Sequence, residues 1–430
     1  MSGFWNIGLM GKRVLGESKM DLPPLYRIRQ RFDVTTVADV AAAVRDEFSK
    51  FDWRDKIRPG QSVAVGVGSR GTHDLRVLAA STVACLKSRG LKPFVIPAMG
   101  SHGGGTAEGQ AQVLAELGIT RETVGAPIVS SMDVASLGRS DSGAEVYFAK
   151  DALDADHIVV INRVKPHTAF RAEVESGLCK ILAVGCGRQK GAANMHRYEL
   201  GKTIVPAARL IMQQASVLCG LAVTENALGG IHSLKLAKPE EFPALDSEFL
   251  KTAWTLLPKL PVEDLDILLV DEMGKNVSGA GMDPNVIGFW RREGGPRRPD
   301  YRILIVLDLT PHSHGNATGI GMADLTTRRV VDRIDWEATY LNAFTSGVLR
   351  SARMPIPVEN DKLAVETALY RTPNPGGIRM VRIVNTGELE SFWATAAVAS
   401  ELKAQKNITV DDVACELKFS HDGRLLSMID

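Results

Sequence analysis

Short apolar runs alternate with longer amphipathic segments along the first half of the chain. The runs at 62–66, 93–97 and 158–161 are typical of buried strands. The segments 37–51 and 74–88 instead carry apolar residues at helical spacing. Because helical segments separate the strands, the order predicts a parallel sheet with crossover helices.

The second half of the chain repeats this organisation less regularly. Prolines interrupt the pattern near the middle of the chain, and they indicate two α/β domains at 1–245 and 262–430. Within the second domain, 266–270 and 303–307 are predicted to be buried strands, and 392–405 a late helix. The predicted fold class is therefore α/β, with two α/β domains built on mainly parallel sheets.

Composition and charge exclude several classes of protein. The 430 residues are 45% hydrophobic and 23% charged, which is typical of a soluble globular protein. Basic and acidic residues balance at 51 and 50, so charge gives no argument for a nucleic-acid partner. We expect no membrane-spanning helix, because no stretch of about 18 apolar residues occurs. The five cysteines lack CxxC spacing and are expected to be reduced thiols of a cytoplasmic protein.

Three polar clusters follow the predicted strands of the first half: Ser69-Arg70, Ser101-His102 and Lys165-Pro166-His167. Ligands of parallel α/β sheets bind beyond the carboxyl ends of the strands, so these clusters predict a site. His102 lies among glycines and suits general acid/base catalysis, although a solvated loop histidine is the alternative. His167 is either a second such group or a turn residue. Arg70 suits a substrate carboxylate, with a surface ion pair as the alternative.

Two further residues are candidates for binding a cofactor. Lys180 lies in an apolar run, where loss of charge makes an amine nucleophilic, but a lysine extending from a helix face is the alternative. His196 has no partner at zinc-ligand spacing, so a metal there would take most ligands from outside the chain. The glycine-rich loop at 66–71 lacks a suitably placed acidic residue and supports a nicotinamide site only weakly.

Taken together, these residues resemble the nickel-pincer-nucleotide-dependent lactate racemase family and its wider group of 2-hydroxyacid racemases and epimerases. The sharpest match runs from His167 through Lys180 to His196, which follows Lys180 by 16 residues. The resemblance implies two α/β domains with an active-site cleft between them, a nickel-pincer nucleotide covalently attached to Lys180, and nickel bound by His196. It also implies that His102 and His167 are catalytic and that Arg70 binds the substrate carboxylate.

The sequence departs from the family pattern at two places. His167 precedes Lys180 by 13 residues, a longer interval than expected for lactate racemases. The run that begins at Ser278 resembles a family loop leading to a glutamine and a lysine near the substrate, and Gly288 and Arg291 stand at those positions. Arg291 is therefore a predicted substrate-binding residue. An arginine in place of lysine favours a hydroxyacid that is larger or more anionic than lactate, such as a sugar acid.

The resemblance predicts an isomerase that racemises or epimerises a 2-hydroxyacid by hydride transfer to and from the tethered cofactor. The expected partners are the small hydroxyacid and the cofactor-synthesis proteins, without nucleic acid or membrane. Two alternatives stay open: a nicotinamide-dependent hydroxyacid dehydrogenase, and a non-catalytic homologue that binds an organic acid or the cofactor. Binding alone would require neither His102 nor His167, which favours a catalyst.

Overall fold

The computed structural model describes residues 20–69, 72–374 and 377–427. These residues form fifteen strands: β1 Leu25–Gln30, β2 Ser62–Val67, β3 Lys92–Pro97, β4 Val134–Arg139, β5 Glu145–Ala149, β6 His157–Arg163, β7 Val217–Glu225, β8 Ile231–Ala237, β9 Ile267–Met273, β10 Ile303–Leu309, β11 Leu325–Thr327, β12 Ile356–Val358, β13 Met380–Ile383, β14 Ser391–Thr395 and β15 Ile408–Cys415. The α-helices of the described residues are α1 Val40–Lys50, α2 Leu75–Lys87, α3 Ala107–Glu116, α4 Arg121–Val124, α5 Lys150–Leu153, α6 Leu178–Lys180, α7 Arg188–Met195, α8 Leu200–Gln214, α9 Phe242–Leu256, α10 Pro284–Ile287, α11 Arg328–Arg333, α12 Trp336–Ser346, α13 Asp361–Arg371 and α14 Ala396–Leu402.

The chain divides into two compact units. The central unit is Asp33–Leu257, and the flanking unit combines Met1–Phe32 with Pro258–Asp430. The predicted junction between the two domains lies close to the one observed at Leu257 and Pro258, but the prediction assigned the start of the chain to the first domain. Strand β1 instead belongs to the flanking unit, because it pairs with both β14 and β15.

The central unit is built on a five-stranded sheet in the order β3-β2-β6-β7-β8. The first three pairings are parallel, and β8 is antiparallel to β7. Val65 in β2 pairs with Val95 on one side and Val159 on the other, and all three are buried. Burial on both faces explains why these strands are nearly continuous apolar runs. The predicted strands and helices of this half are confirmed.

The topology brings the predicted polar clusters to one edge of this sheet. Strands β2, β3 and β6 are parallel, so their carboxyl ends lie at the same edge. Ser69 follows β2, the Gly100–Gly105 loop follows β3, and the segment with His167 follows β6. The carboxyl ends of the strands therefore supply the framework of the candidate site.

The flanking unit contains an eight-stranded sheet in the order β12-β11-β10-β9-β13-β14-β1-β15. The pairings from β12 to β13 are parallel, and those from β13 to β15 are antiparallel. The helix predicted over 392–405 is wrong in its first part, where Ser391–Thr395 is strand β14 and the helix begins at Ala396. Phe392 and Trp393 lie on opposite faces of that strand and both are buried, so the apolar run shows no alternation.

Each unit has its own hydrophobic interior, which confirms the α/β fold class with two domains. Four of the cysteines are buried free thiols, and Cys415 is an exposed one. Among the described residues, every helix is too short or too polar to cross a bilayer.

Candidate functional site

His102 is presented by the glycine-rich loop that follows β3. It precedes the 3-10 turn Gly103–Gly105, and its ring is exposed. The Nδ1 atom of His102 is hydrogen-bonded to the hydroxyl of Ser69, which follows β2. The structure therefore joins two of the polar clusters that the sequence predicted at the strand ends.

Gly103 allows this loop to fold back onto α3. Its φ is 62°, and a Cβ at this position would lie 2.5 Å from the carbonyl carbon of Gly109. The neighbouring Gly104 has a similar φ of 65° but no heavy atom within 4 Å of a Cβ. A side chain at Gly104 would therefore bear only the cost of the left-handed backbone conformation. A side chain at Gly103 would bear this cost and that of a close contact.

The substitutions Gly103→Ala and Gly104→Ala are expected to differ in their effect on stability. Gly104→Ala should lower the free energy of unfolding by about 1–2 kcal/mol, the cost of a side chain in a left-handed conformation. Gly103→Ala should cost more, because its methyl group also meets the backbone of Gly109. Denaturant titration of both variants checks this, and equal losses would contradict the described packing of the loop.

A network of buried polar groups supports the loop that carries His102. The side-chain amide of Gln110 donates to the carbonyl oxygens of Gly100 and His102, at 2.7 and 3.2 Å. Arg188 is fully buried, donates to Gln110 Oε1 at 3.4 Å and forms an ion pair with Asp151 at 2.7 Å. A buried guanidinium held by a carboxylate has a fixed orientation, so the network fixes the backbone on which His102 stands.

Lys180 ends the single-turn helix α6, and a buried carboxylate holds the start of that helix. Asp246 in α9 accepts hydrogen bonds from the backbone N–H groups of Leu178 and Cys179, both at 2.8 Å. Burial raises the pKa of Asp246 to about 7 despite these donors. At Gly177, φ is 91° and a Cβ would lie 2.1 Å from Asp246 Oδ1, so this approach requires glycine.

The His102 loop packs directly on the segment that follows Lys180. The N–H of Gly100 donates to the carbonyl of Gly185 at 3.0 Å, and a Cβ at Gly100 would lie 3.1 Å from that of Ala192 in α7. His196 forms the carboxyl cap of α7. The structure thus places His102, Lys180 and His196 on adjoining segments of the central unit.

His167 lies in the segment that follows β6 and is held by hydrogen bonds and by an aromatic contact. Its N–H donates to Glu175 Oε2 at 2.7 Å, and its Nδ1 accepts from the N–H of Ala169 at 3.1 Å. Its ring packs against Phe170 with the centroids 4.2 Å apart. The Nζ atom of Lys180 lies 5.8 Å from the centroid of the same phenylalanine ring. The Phe170 ring therefore lies next to both His167 and Lys180.

The electrostatics of this region favour a neutral imidazole at His196. Burial, with a smaller contribution from the charge of Lys180, lowers the pKa of His196 to about 4. His196 is nevertheless an exposed residue, so a ligand can reach it although neighbouring protein atoms desolvate its ring. Burial also raises the pKa of Glu175, although hydrogen bonds from the N–H groups of His167 and Ala172 oppose this effect. A neutral, accessible imidazole is the form that binds transition metals.

Glu225, at the carboxyl end of β7, fixes neighbouring groups at this edge of the sheet. It is ion-paired with Arg163 at the end of β6, and its Oε1 accepts from the N–H of His73 at 2.8 Å. Arg70, the predicted carboxylate-binding residue, lies outside the described residues. Its role stays a prediction.

Arg291 lies in the flanking unit and already has a carboxylate partner. Its guanidinium is 2.8 Å from Asp324 and packs over the rings of Trp290 and Tyr301, at 4.5 and 4.8 Å from their centroids. Its side chain is only 11% exposed. The substrate-binding role predicted for Arg291 is untested, and this ion pair competes with it.

Sequence reasoning missed the residues that hold the site together. Glu175 lies directly before Ser176 and Gly177, which lead into α6. The sequence gives no other local indication of its role in the site. Gln110 and Asp246 lie within ordinary helical patterns, and only the fold brings them to the site. Across the described ranges, no group of three or more His, Cys, Asp or Glu side chains is arranged to hold a metal ion.

Comparisons with known proteins bear on the fold. The chain is similar to the lactate racemase apoprotein from Thermoanaerobacterium thermosaccharolyticum, with a TM-score of 0.50, 13% identity, and coverage of 84% of this chain and 94% of that one. The fold resembles that of lactate racemase. At this identity the similarity establishes the fold alone.

The sequence comparisons add a second, shorter match. Residues 69–233, less than half of the chain, match a family model described as a domain of unknown function, DUF362. That range includes the five candidate residues of the central unit: Arg70, His102, His167, Lys180 and His196. No curated protein matches the chain.

Proposed function

We propose that the protein is an isomerase that racemises or epimerises a 2-hydroxyacid. The observation that carries this proposal is the position of Lys180. Its Nζ approaches the Phe170 ring on which His167 packs, and its charge contributes to the lowered pKa of His196. An amine, an imidazole suited to proton transfer and a neutral imidazole suited to a metal thus lie in one region. The lactate racemase-like fold supports the same function.

The residues fit the nickel-pincer nucleotide that the family resemblance implies. Lys180 would form the covalent link through its amine, and the neutral ring of His196 would be the protein ligand to nickel. When bound, this group supplies a hydride acceptor next to the substrate. His196 needs no further protein ligand in this arrangement, because a pincer group brings its own donor atoms.

The other two candidate histidines, His102 and His167, would take up and return the proton of the substrate hydroxyl. In the neutral ring of His167, Nδ1 accepts from Ala169, so the hydrogen lies on Nε2 and can be donated in a hydrogen bond to a substrate oxygen. To act as an acid, His167 takes up a second proton at Nδ1, which replaces the hydrogen bond from Ala169. Ser69 can donate to or accept from Nδ1 of His102, so His102 can take up a proton at Nε2. For one enantiomer, we assign the acid to His167 as the imidazolium and the base to His102 as the neutral imidazole. Arg70 would hold the substrate carboxylate.

The proposal is tested with protein that has been co-expressed with the cofactor-synthesis machinery. A panel of hydroxyacids, each carrying deuterium at the hydroxyl-bearing carbon, is incubated in ordinary water and followed by optical rotation and mass. Hydride transfer predicts loss of optical activity while the deuterium is retained. Exchange of the deuterium for solvent hydrogen would contradict hydride transfer. Reduction of an added nicotinamide cofactor would favour the dehydrogenase alternative instead.

A further inference from the structure

Helix α12 of the flanking unit exposes a stripe of large apolar side chains. Tyr340, Leu341 and Phe344 are 47%, 65% and 72% exposed. Trp336 is 37% exposed and packs on Tyr340 with the ring centroids 5.5 Å apart. Residues four apart lie on the same side of a helix, so Trp336, Tyr340 and Phe344 form one row. The stripe is distinct from the side of α12 that packs inward.

The inward side of α12 shows that this helix is already docked in its own unit. Thr339 and Ala343 are buried, and the hydroxyl of Thr339 accepts from the N–H of Ala317 at 3.0 Å. These residues lie on a different side of the helix from Phe344. The exposed stripe is therefore a second apolar surface, which the fold of the unit does not use.

The stripe continues into the turn that follows α12. Gly347 has a φ of 73°, which ends the helix, and the 3-10 turn Leu349–Ala352 packs beside it. Leu349 is 59% exposed. We call the following residues the α12 patch: Trp336, Tyr340, Leu341, Phe344 and Leu349. All five side chains are more than a third exposed, which makes the patch comparable to the largest apolar patches of typical monomers, about 300–600 Å².

Charged residues lie at the two ends of the patch and have opposite signs. Asp335 and Glu337 are exposed at the start of α12, whereas Arg350 and Arg353 are exposed beyond its end. The patch is thus acidic at one end, apolar in the middle and basic at the other end. A surface with this order is complementary to itself when one copy is turned by 180°.

We propose that the α12 patch binds a second copy of this chain in a twofold-symmetric dimer. The two α12 helices lie antiparallel, so that Phe344 and Leu341 meet their counterparts and Glu337 of each copy faces the basic turn of the other. Twofold interfaces use one self-complementary surface on both subunits. The patch and its charged rim together approach the ~800 Å² per partner of a standard protein interface.

The proposal is tested by light scattering coupled to gel filtration of the full chain over a range of protein concentrations. The wild type is expected to have about twice the chain mass of 46.5 kDa. The substitution Phe344→Glu is expected to raise the dimer dissociation constant at least about 30-fold, because it places a charge at the centre of an apolar contact. Leu228→Glu is the matched control, since Leu228 is 52% exposed in the central unit.

A charge-reversal cycle tests the orientation of the two copies. Glu337→Lys and Arg353→Glu should each weaken the dimer, and the double variant should recover most of the lost affinity. Circular dichroism and thermal melting of every variant report whether the fold is intact. A wild type that is monomeric at all concentrations would overturn the proposal. A dimer of undiminished affinity in folded Phe344→Glu would also overturn it.

Discussion

Replacement of His102 or His167 with alanine is expected to slow racemisation about 10²–10⁴-fold, the usual contribution of a positioned acid or base. Each ring is held by a specific partner, Ser69 for His102 and the N–H of Ala169 for His167. Neither ring is assigned to the cofactor. The nickel content of both variants is therefore expected to equal that of the wild type.

The measurement is the rate of racemisation together with metal analysis of the same preparations. The control is His421→Ala, because His421 is an exposed histidine of the flanking unit. This control should retain full activity. Full activity in either site variant would refute the acid/base assignment, whereas loss of nickel in either would place that histidine in the cofactor site.

The sequence was sufficient to predict the framework of the central unit. Strands β2, β3 and β6 are buried on both faces, so they appear as uninterrupted apolar runs, and glycine-rich turns mark the ends of β2 and β3. The polar residues after those turns could be assigned to one edge of a sheet, because parallel strands end at the same edge. This reasoning placed His102 and His167 correctly relative to the strands.

Long-range pairing could not be predicted from local patterns. Strand β1 is a six-residue segment whose sequence does not show which sheet it joins, and it pairs with β14 and β15 near the other end of the chain. Asp246 follows Leu178 by 68 residues and reaches it only because α9 packs on the sheet beside α6. The sequence likewise gives no sign that Arg291 pairs with Asp324, 33 residues later.

The supporting residues explain how Lys180 is held. Asp246 fixes the start of α6, and the side-chain amide of Asn162 donates to the carbonyl of Gly177 at 2.7 Å. Both contacts involve the backbone, so they hold the helix independently of the lysine side chain. A substitution at Lys180 should therefore change the chemistry of the site without removing its support.

Lys180→Ala is expected to abolish both the covalent adduct and the racemase activity, because no other amine is assigned to the link. Lys180→Arg should have the same effect, since a guanidinium stays protonated and is a poor nucleophile. The matched control is Lys190→Ala, which removes an exposed lysine of α7 that lies 4.3 Å from the centroid of the Tyr147 ring. The control should keep the adduct and the activity.

The most direct test is the intact mass of the wild-type protein after co-expression with the cofactor-synthesis proteins. The expected result is the polypeptide plus one nucleotide-sized adduct, which peptide mapping assigns to Lys180 and which is absent from Lys180→Ala. A bare polypeptide of 46.5 kDa under those conditions, or an adduct on a different residue, would contradict the assignment of Lys180.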